Sequence, residues 1–161
     1  MCEPCPIGTA TPFTGQAECQ FCSAGKFAPV EGLETCTPCA AGSYSEDPSA
    51  EGCTLCPVGR YQPALGMTSC DACEIGKYGP TEGLEFCSLC QMGEYQPNTE
   101  QASCDLCPVG KVAPSQGSYA CEICDYGQYQ NETGQAVCTP CPQGTASNIQ
   151  VRFHPLCFIA I

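Results

Sequence analysis

The sequence contains no tryptophan, a single histidine (His154), and only five basic residues against seventeen acidic ones. Each shortage removes a class of function. One imidazole, set in an atypical last segment, leaves almost no material for proton transfer near neutral pH, and it reads as a tail residue. The carboxylates are spread thinly and form no pair suited to acid–base work. A formal charge of −12 opposes nucleic acid and anionic membrane surfaces as partners. It favours solubility and at most weak divalent-cation binding. No P-loop, dinucleotide or EF-hand motif occurs. No run approaches the roughly 18 apolar residues needed to cross a bilayer. Helix signals are poor as well, because Gly or Pro interrupts every stretch of about ten residues. The chain is therefore expected to be no enzyme and to hold no cofactor and no metal.

What is present is cysteine: nineteen in 161 residues, with seventeen glycines and fifteen prolines. That density marks either a disulfide scaffold or a metal–thiolate protein. The hydrophobic fraction of 43% is swollen by Cys and Ala, so one large core is not expected. A disulfide scaffold implies an extracellular or cell-surface setting. Met1 is followed at once by Cys2, without the charged and apolar lead of an export signal. The expectation is that Met1 is not the natural start, or that an upstream part is missing.

The cysteines keep time. Pairs at 2/5, 19/22, 36/39, 53/56, 70/73, 87/90, 104/107, 121/124 and 138/141 make nine C-x-x-C motifs at a period of 17, without insertion or deletion. This divides the chain into repeats 2–18, 19–35, 36–52, 53–69, 70–86, 87–103, 104–120, 121–137 and a partial 138–148, followed by a tail, 149–161. Three residues after each second Cys stands a Gly, from Gly8 to Gly144. Two residues later six repeats carry an aromatic (Phe27, Tyr44, Tyr61, Tyr78, Tyr95, Tyr129), and two further on six carry Pro. A second Gly follows in six: Gly15, Gly32, Gly66, Gly83, Gly117 and Gly134. The first Gly suits a turn with positive φ. The second lets the chain reverse toward the next cysteine. The aromatic, the one large apolar group at a fixed place, is expected to cover a disulfide rather than to form a ligand stripe. Only strands of two to four residues fit between these points. Seventeen residues cannot fold alone, so neighbouring units must pack on one another. The expected fold is small and disulfide-rich, mostly irregular with short β-strands: an elongated rod of nine tandem repeats. At about 10–20 Å per unit it would span on the order of 100–170 Å.

Uniform repetition leaves three simple connectivities: within each C-x-x-C, from the last Cys of one pair to the first of the next, or from the first of one pair to the last of the next. The second is favoured, because it closes a loop around the Gly-Tyr-Pro-Gly segment and leaves C-x-x-C as a hinge. It gives Cys5–Cys19, Cys22–Cys36, Cys39–Cys53, Cys56–Cys70, Cys73–Cys87, Cys90–Cys104, Cys107–Cys121 and Cys124–Cys138. Cys141 and Cys157, 16 apart, would close a looser last loop. Cys2 then lacks a partner, as in an array cut at its N-terminal end or one joined to another subunit.

The pattern resembles the ephrin-receptor-like cysteine-rich repeat found in tandem in many large eukaryotic surface proteins. The segment Cys56-Pro57-Val58-Gly59-Arg60-Tyr61 through Cys70 is also similar to the first submodule of tumour-necrosis-factor-receptor cysteine-rich domains. There the two bounding cysteines bond to each other, which supports the favoured connectivity. The resemblance covers residues 2 to about 148. It implies an elongated, extracellular disulfide ladder and no particular ligand.

Rival readings are weaker. Cys₄ zinc sites pair two knuckles around one ion, and nine uniform pairs do not divide that way. A redox C-x-x-C needs a helix start within a βαβ unit. Lys26, Arg60, Lys77 and Lys111 each follow the first Gly and read as a solvated edge rather than a binding stripe. Asn131-Glu132-Thr133 is an N-glycosylation sequon in a turn, so Asn131 is expected to carry a glycan. The tail is apolar and fits a capping strand, a subunit contact or an incomplete end. The expected function is structural: a stiff rod in a surface fibril or coat, associating with itself end to end or laterally. The alternative is the stalk or ligand-binding ectodomain of a receptor or adhesin.

Overall fold

The structure is a computed structural model that describes residues 3–16, 18–143, 145, 146, 158 and 159. Each 17-residue repeat contributes one two-stranded antiparallel ladder of minimal length. One strand is the two residues after the first Gly, and the other is the two residues after the next first Cys. Lys77–Tyr78 pairs with Ser88–Leu89 in this way, with Lys77 opposite Leu89 and Tyr78 opposite Ser88. The same register joins Thr9–Ala10 to Gln20–Phe21 and Arg60–Tyr61 to Asp71–Ala72. It also joins Glu94–Tyr95 to Asp105–Leu106 and Gln128–Tyr129 to Thr139–Pro140. In the ninth repeat Thr145–Ala146 pairs with Phe158–Ile159, so part of the tail is the return strand of a final hairpin. The described residues contain no helix.

Local chemistry keeps the strands short. A tight turn precedes each one: Lys77 N–H donates to the Glu74 carbonyl at 3.1 Å, and Lys111 N–H to the Pro108 carbonyl at 3.0 Å. The first Gly of the turn sits in the left-handed region, φ +74° at Gly76, where a β-carbon is strained. Beyond the strand, a Pro without an N–H cannot extend the ladder.

The chain divides into two compact units, Met1–Ala72 with Gly79–Cys87, and Cys73–Tyr78 with Ser88–Ile161. Each is held by the same backbone ladder between successive repeats. In the first, Gly8 N–H donates to the Ala28 carbonyl (2.9 Å), Cys22 N–H to Gly8 (3.0 Å), Thr11 N–H to Leu33 (3.2 Å) and Gly32 N–H to Cys5 (2.8 Å). In the second, Gly76 N–H donates to Gln96 (2.8 Å), Cys90 N–H to Gly76 (3.0 Å), Gln96 N–H to Ser118 (3.0 Å) and Gly117 N–H to Cys90 (2.8 Å). Several repeats also reach the next but one. A β-carbon built on Gly42 would collide with the backbone of Gly83, and one on Gly76 with that of Gly117. The backbone approach leaves no room for a side chain on the first glycine, whereas the second glycine is favoured by its positive φ, and a β-carbon there would meet chiefly side chains.

In each unit the core is narrow rather than a large volume. Cys22, Cys39, Cys56, Cys73, Cys90, Cys107 and Cys124, the second cysteines of their pairs, are the largest fully buried side chains. The other enclosed column is the residue directly after the aromatic: Ala28, Ser45, Gln62, Gln96, Ala113 and Gln130. The aromatics themselves are only half-buried, as at Tyr61, Tyr78 and Tyr95. Where a smaller residue holds that register, Ala10 or Val112, it is buried. A ring is too large to be swallowed by so thin a core, and its outer part faces water.

The three buried glutamines brace their loops. Gln62 Nε2–H donates to the Ser69 carbonyl (2.9 Å), and its Oε1 accepts from Ala64 N–H (3.1 Å). Gln96 bonds Ser103 and Asn98 in the same way, at 2.8 and 3.1 Å, and Gln130 bonds Val137 and Glu132, at 2.9 and 3.1 Å. A buried amide is stable there because both ends are paired. Ser49 and Glu100 occupy the second-Gly register, and both are forced to positive φ, 67° and 62°.

Candidate functional site

The repeating units are themselves the candidate site. Their fixed points are the disulfides. Cys5 bonds Cys19, Cys22 bonds Cys36, Cys39 bonds Cys53 and Cys56 bonds Cys70, with Cα–Cα separations of 5.6 to 5.7 Å. Cys90 bonds Cys104, Cys107 bonds Cys121 and Cys124 bonds Cys138, with Cα–Cα separations of 5.7 to 5.8 Å. Cys73, Cys87 and Cys141 are disulfide-bonded as well. Cys2, His154 and Cys157 lie outside the described residues. In the seven bonds from Cys5–Cys19 to Cys124–Cys138 a buried second Cys is tied to a more accessible first Cys of the next pair. Among the described residues no group of three or more His, Cys, Asp or Glu side chains is arranged to hold a metal ion. None of the helices needed to cross a membrane occurs among them either.

The basic residues open strands. Lys77 pairs with exposed Glu74 at 2.9 Å. That hydrogen bond, with the charge of the ammonium, holds the Glu74 carboxyl below its ordinary range. Arg60 Nη1–H donates to the Cys70 carbonyl at 3.2 Å and so clasps the end of its own loop. Both contacts are local in sequence, three residues apart for Lys77–Glu74 and ten for Arg60–Cys70. An open cleft under the loop of the third repeat is lined by Tyr44, Glu46, Asp47, Ser49 and Glu51, whose three carboxylates face water.

Asn131 and Thr133 are exposed. Their loop is held from inside by Gln130, and Asn131 takes the place that exposed Pro63 and Pro97 take in the two equivalent Gln-braced loops. A second exposed feature was not singled out from the sequence. The residue before each second Cys is apolar and solvent-facing in Phe21, Leu55, Leu89, Leu106 and Ile123. Leu55 lies over Gly83, Leu89 over Gly117 and Leu106 over Gly134. The signal was available in the 17-residue register, but an apolar residue beside cysteine reads as ordinary core.

The family model described as tyrosine-protein kinase ephrin type A/B receptor-like matches the chain three times, over residues 42–83, 76–120 and 110–150. The matches overlap and together run from 42 to 150, more than half of the 161 residues. The chain belongs to the ephrin-receptor-like cysteine-rich repeat family. No curated protein matches it. The family repeats and the disulfide ladder suggest a receptor-like ectodomain in an extracellular or cell-surface setting. Each of the three matches takes in successive repeats rather than one, in keeping with backbone hydrogen bonds that join one repeat to its neighbour.

Proposed function

We propose that this ephrin-receptor-like array is a secreted, non-catalytic structural element: a stiff, disulfide-laddered rod that spaces or builds a surface fibril or coat. The observation that carries the reading is the uniformity of the repeat-to-repeat bonding. Each step uses the same amide and carbonyl positions, so the spacing between successive units is fixed by backbone rather than by variable side chains. A spacer needs that constancy, whereas a binding surface needs local departures from it. A glycan on exposed Asn131 belongs to this reading, as a solubilising group on an outward loop. Electron microscopy of native material tests it: fibrils or coats with an axial period of one or several repeats support it, and isolated particles without such a period oppose it. Small-angle scattering of the oxidised chain should give a cross-section distribution of a rod. Digestion with a peptide N-glycosidase should lower the mass of the secreted wild type and leave Asn131→Gln unchanged.

The second reading, a stalk or ligand-binding ectodomain, is favoured by the family itself, whose description is that of a receptor. It predicts a soluble monomer that captures one partner through a defined subset of repeats.

A further inference from the structure

In the first unit the residue that opens each strand pair alternates in character. Thr9 and Ser43 are buried, and their hydroxyls donate to the Pro6 and Ala40 carbonyls at 2.6 and 2.7 Å. At the same register Lys26 is exposed and Arg60 half-buried. A hydroxyl closes the position in repeats 1 and 3, and a cation opens it in repeats 2 and 4. Each cation lines a cleft, and the two clefts share one register. One, of about 170 Å³, is lined by Tyr44, Glu46, Arg60 and Ser69 among others. The other, of about 340 Å³, is lined by Ala10, Lys26, Glu34 and Thr35 among others. Tyr44 and Ala10, Arg60 and Lys26, and Ser69 and Thr35 are the same positions two repeats apart. Where Ala10 stands in place of the Tyr44 ring, Phe21 brings an aromatic to the same lining. Each cleft therefore presents an aromatic, a cation, a carboxylate and a hydroxyl. The rings are not core: Tyr44 is half-buried and Phe21 is 74% exposed. Arg60 is held at its cleft by the bond from Nη1–H to the carbonyl of Cys70, itself a lining residue.

We propose that these two clefts bind a neutral oligosaccharide chain of hexose units. The aromatic offers apolar surface to the C–H side of a sugar ring. The guanidinium or ammonium donates to sugar hydroxyls, and the carboxylate accepts from them. Both volumes lie near or below the lower end of the roughly 300–1,000 Å³ of a pocket for a drug-sized ligand, so each cleft takes one or two rings. Opposite charges stand together in each lining, so neither sign of ligand is favoured locally, and the charge of −12 on the chain repels an acidic polymer. A lining that occurs twice in one unit suits a ligand that itself repeats, because a second site engaged by the same chain multiplies a weak first affinity. The inference goes beyond the spacer reading: it gives the array a sugar chain to hold.

The test is a panel of immobilised neutral oligosaccharides of glucose, mannose and galactose, probed with the oxidised chain, with hyaluronan fragments as acidic members. The best-retained neutral hexasaccharide is then titrated by NMR. It should shift the ring signals of Tyr44 and Phe21 and bind at least tenfold more tightly than the matching disaccharide. Lys26→Ser and Arg60→Ser place at this register the kind of small hydroxyl residue that Thr9 and Ser43 already supply, so both variants can fold. Each should weaken the hexasaccharide at least tenfold, and each should leave the ring signal of the other cleft responsive to the disaccharide. Retention of acidic fragments alone, retention of no neutral member, or a hexasaccharide held equally by wild type and both variants with their disulfides intact overturns the inference. The spacer reading fails separately, on native material without an axial period.

Discussion

Replacing Gly76 by alanine isolates the contact that stacks one repeat on the next but one. Three costs fall on one methyl group. The backbone at φ +74° puts a β-carbon in the left-handed region, about 1 kcal/mol. The new carbon would lie 2.8 Å from the Gly117 carbonyl carbon, and closer still to its oxygen; forcing two backbones apart is overpacking, about 1–3 kcal/mol. Two hydrogen bonds run through the same residue, to the Gln96 carbonyl at 2.8 Å and from Cys90 N–H at 3.0 Å, and stretching them loses about 1 kcal/mol. The sum is about 3–5 kcal/mol. Gly117→Ala is the matched control. It has nearly the same φ, +73°, but its β-carbon meets the mobile end of Leu89, Cδ2 at 2.9 Å, which can rotate away. That leaves about 1–2 kcal/mol of strain. Native-state hydrogen exchange on the oxidised protein reads local opening. The Cys90 amide should exchange faster in Gly76→Ala than in Gly117→Ala by roughly 30-fold, the equivalent of about 2 kcal/mol. Equal acceleration in the two variants would refute the argument, since left-handed strain alone would then account for both.

The exceptions in the second-Gly column give the opposite sign: Ser49→Gly and Glu100→Gly each relieve positive φ and should raise stability by about 0.5–1 kcal/mol, read as slower exchange in their own loops. Gln96→Ala removes both braces of its loop and leaves the Ser103 carbonyl and Asn98 amide unpaired; the loop 97–103 should open by about 1–3 kcal/mol and become the first site of limited proteolysis. Glu74 should titrate below the ordinary glutamate value, because the Lys77 hydrogen bond and charge favour its ionised form. A lowered folded pKa gives a contribution present above the unfolded value and lost as pH falls through the folded one. Being fully exposed, the pair should show this in the NMR titration of Glu74, which Lys77→Met returns to the ordinary range, with little change in stability.

The family architecture was legible because cysteine and glycine announce themselves. A strict 17-residue register named the small disulfide-rich fold, short strands of two to four residues (two are found) and the left-handed turns at positions such as Gly76. It did not name the core. An aromatic in a fixed place reads as the buried residue, yet Tyr61 and Tyr95 are half-exposed while Gln62 and Gln96 beside them are enclosed. Hydrophobicity alone cannot foresee this, because a glutamine is buried only where both ends of its amide find partners, and those partners lie seven and two residues away in a loop whose shape was unknown. Nor does periodicity say how far each repeat turns on the last. The approach of Gly42 to Gly83 depends on that turn, and in the sequence the two are separated by more than two full repeats.

The central claim is that the cysteines form a ladder in which each C-x-x-C is split between two loops, and disulfide mapping tests it most directly. Intact mass without reduction should fall about two daltons per bond below the all-thiol mass. Proteolysis of the unreduced protein should release linked peptides such as Cys56 with Cys70 and Cys107 with Cys121, 14 residues apart. Bonds within single C-x-x-C motifs, or a full complement of free thiols, would contradict the account.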